Sequence, residues 1–479
     1  MSQHFPMMYA GASSKGKTLE VLAPWDRKPI ATLDTADIDA VETALATADK
    51  LFKNRDGWLS TAKRIEILEK TVELMTERFD TLAVEAAREG GKPLPDSKVE
   101  VARAIDSVRV CVETLRTQHG TEVPMGVNAA SMNRLAWTTH EPIGVVVAVS
   151  AFNHPLNLIV HQVAPAVAVG CPVVVKPSNE TPISCMNFVK ILHEAGLPPE
   201  WCQAAPTEGR PTATKLVTDP RVAFFSFIGS PGVGWSLRSQ LAPGARCALE
   251  HGGAAPVILA ADADLDDVLP LLAKGGYYHA GQVCVSVQRV FAERKIAEKV
   301  AERLAELGGK MKLADPTTME SEVGPLIRPA EVTRVDEWVQ EAVKGGAKLL
   351  SGGKAASETC YENTLLYNPP ADATISRKEV FGPAVCVYPY DDMDEAIDRA
   401  NSLDFAFQAA VCTTSLETAL RCYRRLDASA VMVNDHTAFR VDWMPFAGLR
   451  QSGHGVGGIH HTIHDMQIEK MLVLRSKNL

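Results

Sequence analysis

From about Asp37 to Gly120 the apolar positions recur at helical spacing, as in Arg64-Ile65…Leu68…Val72…Met75, within Ala/Glu/Leu/Arg-rich sequence broken by Gly90-Gly91-Lys92-Pro93. This predicts a run of amphipathic helices. Thr121–His140 is poor in helix signals. The pattern then changes to short unbroken apolar runs, Gly144–Val149 and Cys171–Lys176, flanking a helical stretch around Leu156–Val169. Strand, helix, strand in this order predicts a βαβ unit and a parallel sheet. The series continues with a helix at Thr181–Ala195, a strand at Val222–Ile228 and a helix at Gly234–Leu241, opening after Gly229-Ser-Pro-Gly-Val-Gly234. A second α/β series has a helix at Asp264–Tyr278, a strand at Gln288–Ala292, a helix at Ile296–Gly308, and helices near Pro329–Gly345 and Asp394–Ser402. The tail Met471–Arg475 reads as a terminal strand whose open edge can pair with another subunit.

The 479 residues suffice for several structural units with deep cores, and 49 Lys+Arg against 58 Asp+Glu leave a formal charge of −9. Without a clustered basic run, nucleic acid is excluded as the main partner. The apolar runs are too short to span a bilayer, and Met1–Met8 has neither a basic nor an apolar leader region, so a cytoplasmic protein is expected. Ten scattered cysteines without a Cys-x-x-Cys pattern point to a reducing compartment, most of them as buried small hydrophobes.

Cys284 differs from the others because it lies in a polar, Gly-led turn, Gly281-Gln-Val-Cys284, that runs into a strand. A nucleophilic thiolate needs a base, an oxyanion donor and an electrophile. Leu249-Glu250-His251-Gly252-Gly253 offers a carboxylate before two glycines, and Phe152-Asn153-His154-Pro155 offers an amide at a strand end, where open α/β sheets bind ligands. From the residues alone, a Cys/His hydrolase or acyltransferase, with His279 or His251 beside Cys284 and no nicotinamide, is the competing class. Gly453–Gly458 formally matches G-x-G-x-x-G, but no predicted strand precedes it and no helix clearly opens from it, so it reads as a decoy. His460-His461…His464-Asp465 has a nominal ligand spacing, but no metal is expected.

Taken in order, Asn153…Lys176…Gly229-Ser230…Glu250…Cys284…Glu379-Val-Phe-Gly-Pro383…Pro445-Phe446-Ala-Gly448 resembles the aldehyde dehydrogenase superfamily along nearly the whole chain. The resemblance is closest in feel to phosphonoacetaldehyde, lactaldehyde and non-phosphorylating glyceraldehyde-3-phosphate dehydrogenases. It implies a Rossmann-type cofactor domain (1–120 and 142–252), an α/β catalytic domain (253–450) and a small β oligomerisation arm with a terminal strand (121–141 and 465–479), assembling as a homodimer or homotetramer. It also implies that Cys284 attacks an aldehyde, that Asn153 and the Cys284 N–H hold the oxyanion, and that Glu250 activates the hydrolytic water.

The same resemblance assigns Lys176 to the adenosine ribose, Gly229, Ser230 and Gly234 to the pyrophosphate region, and Glu379 and Phe381 to the nicotinamide ribose, with Gly252 beside them. NAD-preferring relatives carry Glu three residues after the lysine, where this chain has Asn179. Ser178 and Asn179 would not repel a 2′-phosphate, so NAD or NADP is expected, with Glu180 able to restore NAD preference if turned inward. His161, Arg103 and Arg440 are the implied substrate residues; a polar ring and two arginines favour a short anionic aldehyde. Phosphonoacetaldehyde is the leading expectation, with lactaldehyde, glyceraldehyde 3-phosphate and succinic semialdehyde as alternatives.

Overall fold

A computed structural model describes residues 3–479. Its centre is two α/β sheets. The first places its strands in the order Gly453–His454, Arg246–Glu250, Val222–Ile228, Val145–Val149, Val173–Lys176, Cys202–Ala204; all are parallel except the short first one. Val145–Val149, earliest of the parallel strands in sequence, is therefore central. Chain order reverses on either side of it, which opens a crevice at the carboxyl ends of Val145–Val149 and Val222–Ile228. The valines of both runs are buried on both faces, as a sheet covered by helices requires.

The second sheet runs Lys348–Ser351, Thr364–Tyr367, Ala384–Tyr390, Arg289–Glu293, Pro256–Leu259, Gln408–Cys412, Ala430–Val433, with only Lys348–Ser351 antiparallel. The expected amphipathic run resolves into helices Ile38–Lys53, Thr61–Glu77, Phe79–Gly90 and Leu94–Thr117. Two buried carboxylates fasten them to the first sheet's helices. Glu89 accepts the N–H groups of Ile183 and Ser184 at 2.7 and 2.8 Å, and Glu100 those of Leu156 and Asn157, both at 2.9 Å. Each thereby satisfies donors at a helix start that have no partner within the helix.

Several elements depart from the sequence reading. A three-stranded sheet (Gln3–Phe5, Thr18–Leu22, Pro29–Asp34) precedes the helices. Arg246–Glu250 is a strand that ends on Glu250, although its composition gave no strong strand signal. The helix placed at Gly234–Leu241 spans Pro231–Arg238, because Ser230 adopts an extended N-cap conformation and Pro231 suits the first turn. Gly453–His454 pairs antiparallel with the Glu250 strand and a helix, Ile459–Asp465, does open after Gly458. The tail strand is longer than expected, Gln467–Arg475. It pairs antiparallel with Arg134–Pro142 of the same chain over nine residues, with Glu122–Val123 on the far side. Its outer edge is open, and Met471–Leu474 are exposed. Among the described residues no helix is long and apolar enough to cross a membrane.

Candidate active site

A cavity of about 790 Å³ opens at the crevice and extends between the two sheets. It gathers Asn153, Glu250, Cys284 and Arg440 on its walls. Cys284 follows a tight turn in which His279 and Ala280 take φ 52° and Gly281 takes φ 68°; a Cβ on Gly281 would lie 2.1 Å from the Gly382 carbonyl oxygen. Gln282 pins this loop. Its amide donates to the His279 and Pro325 carbonyls at 3.1 Å each, and its Oε1 accepts the Ile327 N–H at 2.9 Å. The Gln282 carbonyl in turn accepts from Asn153 Nδ2 at 3.0 Å, so one residue positions both nucleophile and amide. Sequence reasoning gave Gln282 no role, although it stands two residues before the cysteine.

Eight of the ten cysteines are buried; only Cys247 and Cys284 are partly exposed. Burial pushes the Cys284 thiol up to about 12, the Glu379 and Glu250 carboxylates add to this, and Arg440 opposes it. Glu250 is likewise raised by burial and eased by Arg440. It is packed tightly, since a Cβ on Gly457 would sit 2.1 Å from Glu250 Oε1. With its acidity suppressed, the resting thiol stays protonated at neutral pH. Its alkylation by iodoacetamide should therefore climb about tenfold per pH unit from pH ~7 to ~10 without levelling off; a rate flat above pH ~7 would show a thiol already ionised at neutral pH.

At the cofactor end Lys176 closes its strand, its ammonium donating to the Pro177 carbonyl at 2.9 Å and to Asn179 Oδ1 at 3.4 Å; burial lowers it to about 8. Ser178, Asn179, Gly229 and Ser230 line this end. Glu379 Oε1 is buried without a partner, and burial raises this carboxyl to about 8. It lies where a Cβ on Gly252 would be, 1.6 Å away, so only glycine admits it. Phe381, at φ 45°, meets Phe152 edge-on at 5.7 Å. Gly234 lies near the start of the Pro231–Arg238 helix, behind the residues that line the cavity. It makes room for His251, whose Cε1 would be 2.1 Å from an added Cβ. Glu180 is engaged by Arg328 at 3.2 Å, and Arg210 and Arg334 also line this end; the sequence reading did not single out these arginines.

The substrate end turns on Asp442, to which the sequence reading assigned nothing. Arg103 forks onto it, Nε and Nη2 at 3.0 and 2.8 Å, and His161 Nε2 bonds it at 2.7 Å. Both expected substrate residues border the cavity, but these hydrogen-bonding groups are occupied, which revises the picture of two free arginines. Arg440 differs. Its guanidinium lies 3.6 Å over the Phe446 ring centroid, its Nε is 3.8 Å from Asp442, and its Nη1 is buried with no partner.

Neither His251 nor His279 serves the thiol: His251 Nδ1 faces the Gly229 carbonyl at 2.7 Å, and His251 Nε2 and both His279 nitrogens are buried without partners. The hydrolase arrangement is thus not formed. Gly453–Gly458 lines none of the cavity. His460 Nδ1 pairs with Thr114 Oγ1 at 2.8 Å, and among the described residues no group of three or more His, Cys, Asp or Glu could hold a metal.

A cysteine, an amide and a buried carboxylate thus share one crevice beside the carboxyl ends of parallel strands, an arrangement suited to covalent thiol catalysis. The sequence profile of the aldehyde dehydrogenase family matches residues 11–472, and the chain belongs to that family. It is 37% identical over 456 residues to a 3-sulfolactaldehyde dehydrogenase of Priestia megaterium, covering 95% of this chain and 94% of that one. Aldehyde dehydrogenase 21 of Physcomitrella patens, solved with its product succinate, superposes with TM-score 0.94 at 31% identity over 99% of each chain. A glyceraldehyde-3-phosphate dehydrogenase of Methanocaldococcus jannaschii, solved with NADP, gives 0.91 at 29% identity over 97% of this chain and 100% of its own. The fold class and the enzyme class expected from the motif order are both met.

Proposed function

We propose that this NAD(P)-dependent aldehyde dehydrogenase oxidises a short aldehyde bearing a remote acidic group to the carboxylic acid, with Arg440 as the counter-ion. The observation that carries this reading is the buried Arg440 guanidinium, with an unpartnered Nη1, in the same cavity as Cys284 and Glu250. A buried cation without a hydrogen-bond partner is costly unless a ligand supplies one.

In this reading Cys284 Sγ attacks the aldehyde carbon while its proton passes to Glu250. The oxyanion of the thiohemiacetal is met by Asn153 Nδ2 and the Cys284 N–H, where charge develops. NAD(P), when bound, supplies the acceptor for the hydride that leaves this carbon. Glu250 releases that proton to solvent, then removes one from the water that attacks the thioester; the C–S bond breaks, the sulfur leaves as thiolate and takes the proton back from Glu250, and the acid departs. The crevice suits a dinucleotide: Glu379 Oε1 lacks a partner and suits a ribose hydroxyl, Gly252 leaves the space, and Lys176 and Ser230 border it. Either cofactor is compatible, because no carboxylate follows Lys176 at the third position and Glu180 is tied to Arg328. A homodimer or homotetramer joined through the open Gln467–Arg475 edge belongs to the same proposal.

Phosphonoacetaldehyde fits this reading, and so does a sulfonate-bearing aldehyde of the kind named for the Priestia relative. The test is nicotinamide reduction with NAD and NADP in turn against phosphonoacetaldehyde, sulfoacetaldehyde, glyceraldehyde 3-phosphate, succinic semialdehyde, lactaldehyde and neutral alkanals. Preference for an acidic aldehyde supports the reading, and turnover of neutral aldehydes alone refutes it. Asn153→Ala should lower kcat about 100-fold, the usual cost of one oxyanion donor, with KM little changed; an unchanged kcat would remove Asn153 from the mechanism.

A further inference from the structure

We infer that Asp442 sets how many negative charges the substrate end accepts, so that the pocket selects an aldehyde whose remote acidic group carries one charge over one that carries two. The inference rests on the anionic-aldehyde reading above and narrows it. Asp442 is fully enclosed and has four neighbours to serve: Arg103 through both Nε and Nη2, His161 Nε2 at 2.7 Å, Asn157 Nδ2 at 3.2 Å, and Arg440 Nε at 3.8 Å. The two-point fork cancels the Arg103 charge where it stands.

The remaining charges can be counted. Burial lowers the His161 pKa, so at mildly alkaline pH the ring is neutral and donates its N–H to Asp442. Lys92, also enclosed, is paired with Glu100. That leaves Arg440 as the cation on this wall with a buried N–H that has no partner. One incoming charge meets that donor; a second meets none, and the Glu250 carboxylate in the same cavity adds to its cost. In a buried site an unbalanced charge is costly, because neither water nor a counter-ion is at hand. Had Asp442 been absent, two arginines would face the substrate and a doubly charged group would be matched.

Sulfoacetaldehyde and phosphonoacetaldehyde form a near-isosteric pair that isolates charge, the first singly and the second largely doubly ionised at about pH 8.5. Wild-type protein should favour sulfoacetaldehyde in kcat/KM. Asp442→Asn should move the ratio toward phosphonoacetaldehyde by about tenfold, the order of effect of one buried charge a few ångströms away. Arg103→Met, which leaves Asp442 uncancelled, should move the ratio the opposite way. A general loss of packing would shift both variants together, so opposite signs are the signature. Calorimetric titration with sulfoacetate and phosphonoacetate should reproduce both shifts in Kd without turnover. An active wild-type protein whose ratio is unmoved by either variant, or moved the same way by both, overturns the role of Asp442 alone. Wild-type turnover of neutral aldehydes only would overturn the anionic reading and this inference with it.

Discussion

Cys284→Ala should abolish aldehyde oxidation, lowering kcat by at least about 10⁴-fold, while leaving NAD(P) binding within about twofold. Cys284 is the one cysteine among the residues lining the cavity. Cys247, the other partly exposed cysteine, is absent from the residues lining that cavity. The fold should survive, because Cys284 is an edge member of a small apolar cluster of Val283, Val285, Phe407 and Phe446, and alanine retains its Cβ. Fluorescence titration with NADH and NADPH checks the binding and a stopped assay checks the rate. Residual turnover above about one per cent of wild type would show that another group carries the chemistry.

Arg440→Met should lower kcat/KM for acidic aldehydes by about 150-fold and leave neutral aldehydes within a few-fold, because losing a desolvated charge-assisted contact costs about 3 kcal/mol. Methionine keeps much of the apolar stem over Phe446, where the guanidinium lies at 3.6 Å, so the loss reports on charge and hydrogen bonding more than on packing. Arg440 also opposes the upward push on Cys284 and Glu250. Removing it should therefore slow thiol alkylation at fixed pH, a second readout independent of substrate. Equal losses on acidic and neutral aldehydes would assign Arg440 to the thiol and base alone.

The legible part of the site was the part encoded in short contiguous strings. Glu250-His-Gly-Gly253, Gly281-Gln-Val-Cys284 and Phe152-Asn153 each place a reactive group beside the glycines or strand end that aims it, so their local context reads directly. Lys176, Ser178, Asn179, Glu379 and Phe381 came with them by motif order, and the structure brings all of them to one cavity. A glycine-rich string does not say which glycine faces a ligand and which, like Gly234 beside His251, makes room for a side chain behind it. The small N-terminal sheet and the Arg246–Glu250 strand were missed for a related reason. Polar, half-exposed strands have weak periodicity, and their pairing is decided by partners distant in the chain.

What the sequence determined by itself is the N-terminal run of helices and the βαβ series of the first sheet, because helical and strand periods are local, and the order of its motifs carries the resemblance that implies the reaction class. What only the tertiary structure decided is the state of each charge at the substrate end. Arg103 and Arg440 look equivalent as letters, yet Arg103 is forked onto Asp442, 339 residues away in the chain, while Arg440 keeps a buried N–H without a partner. Charge compensation depends on three-dimensional distance, falling off within a few ångströms, and no local pattern in the chain records which arginine lies within reach of that carboxylate.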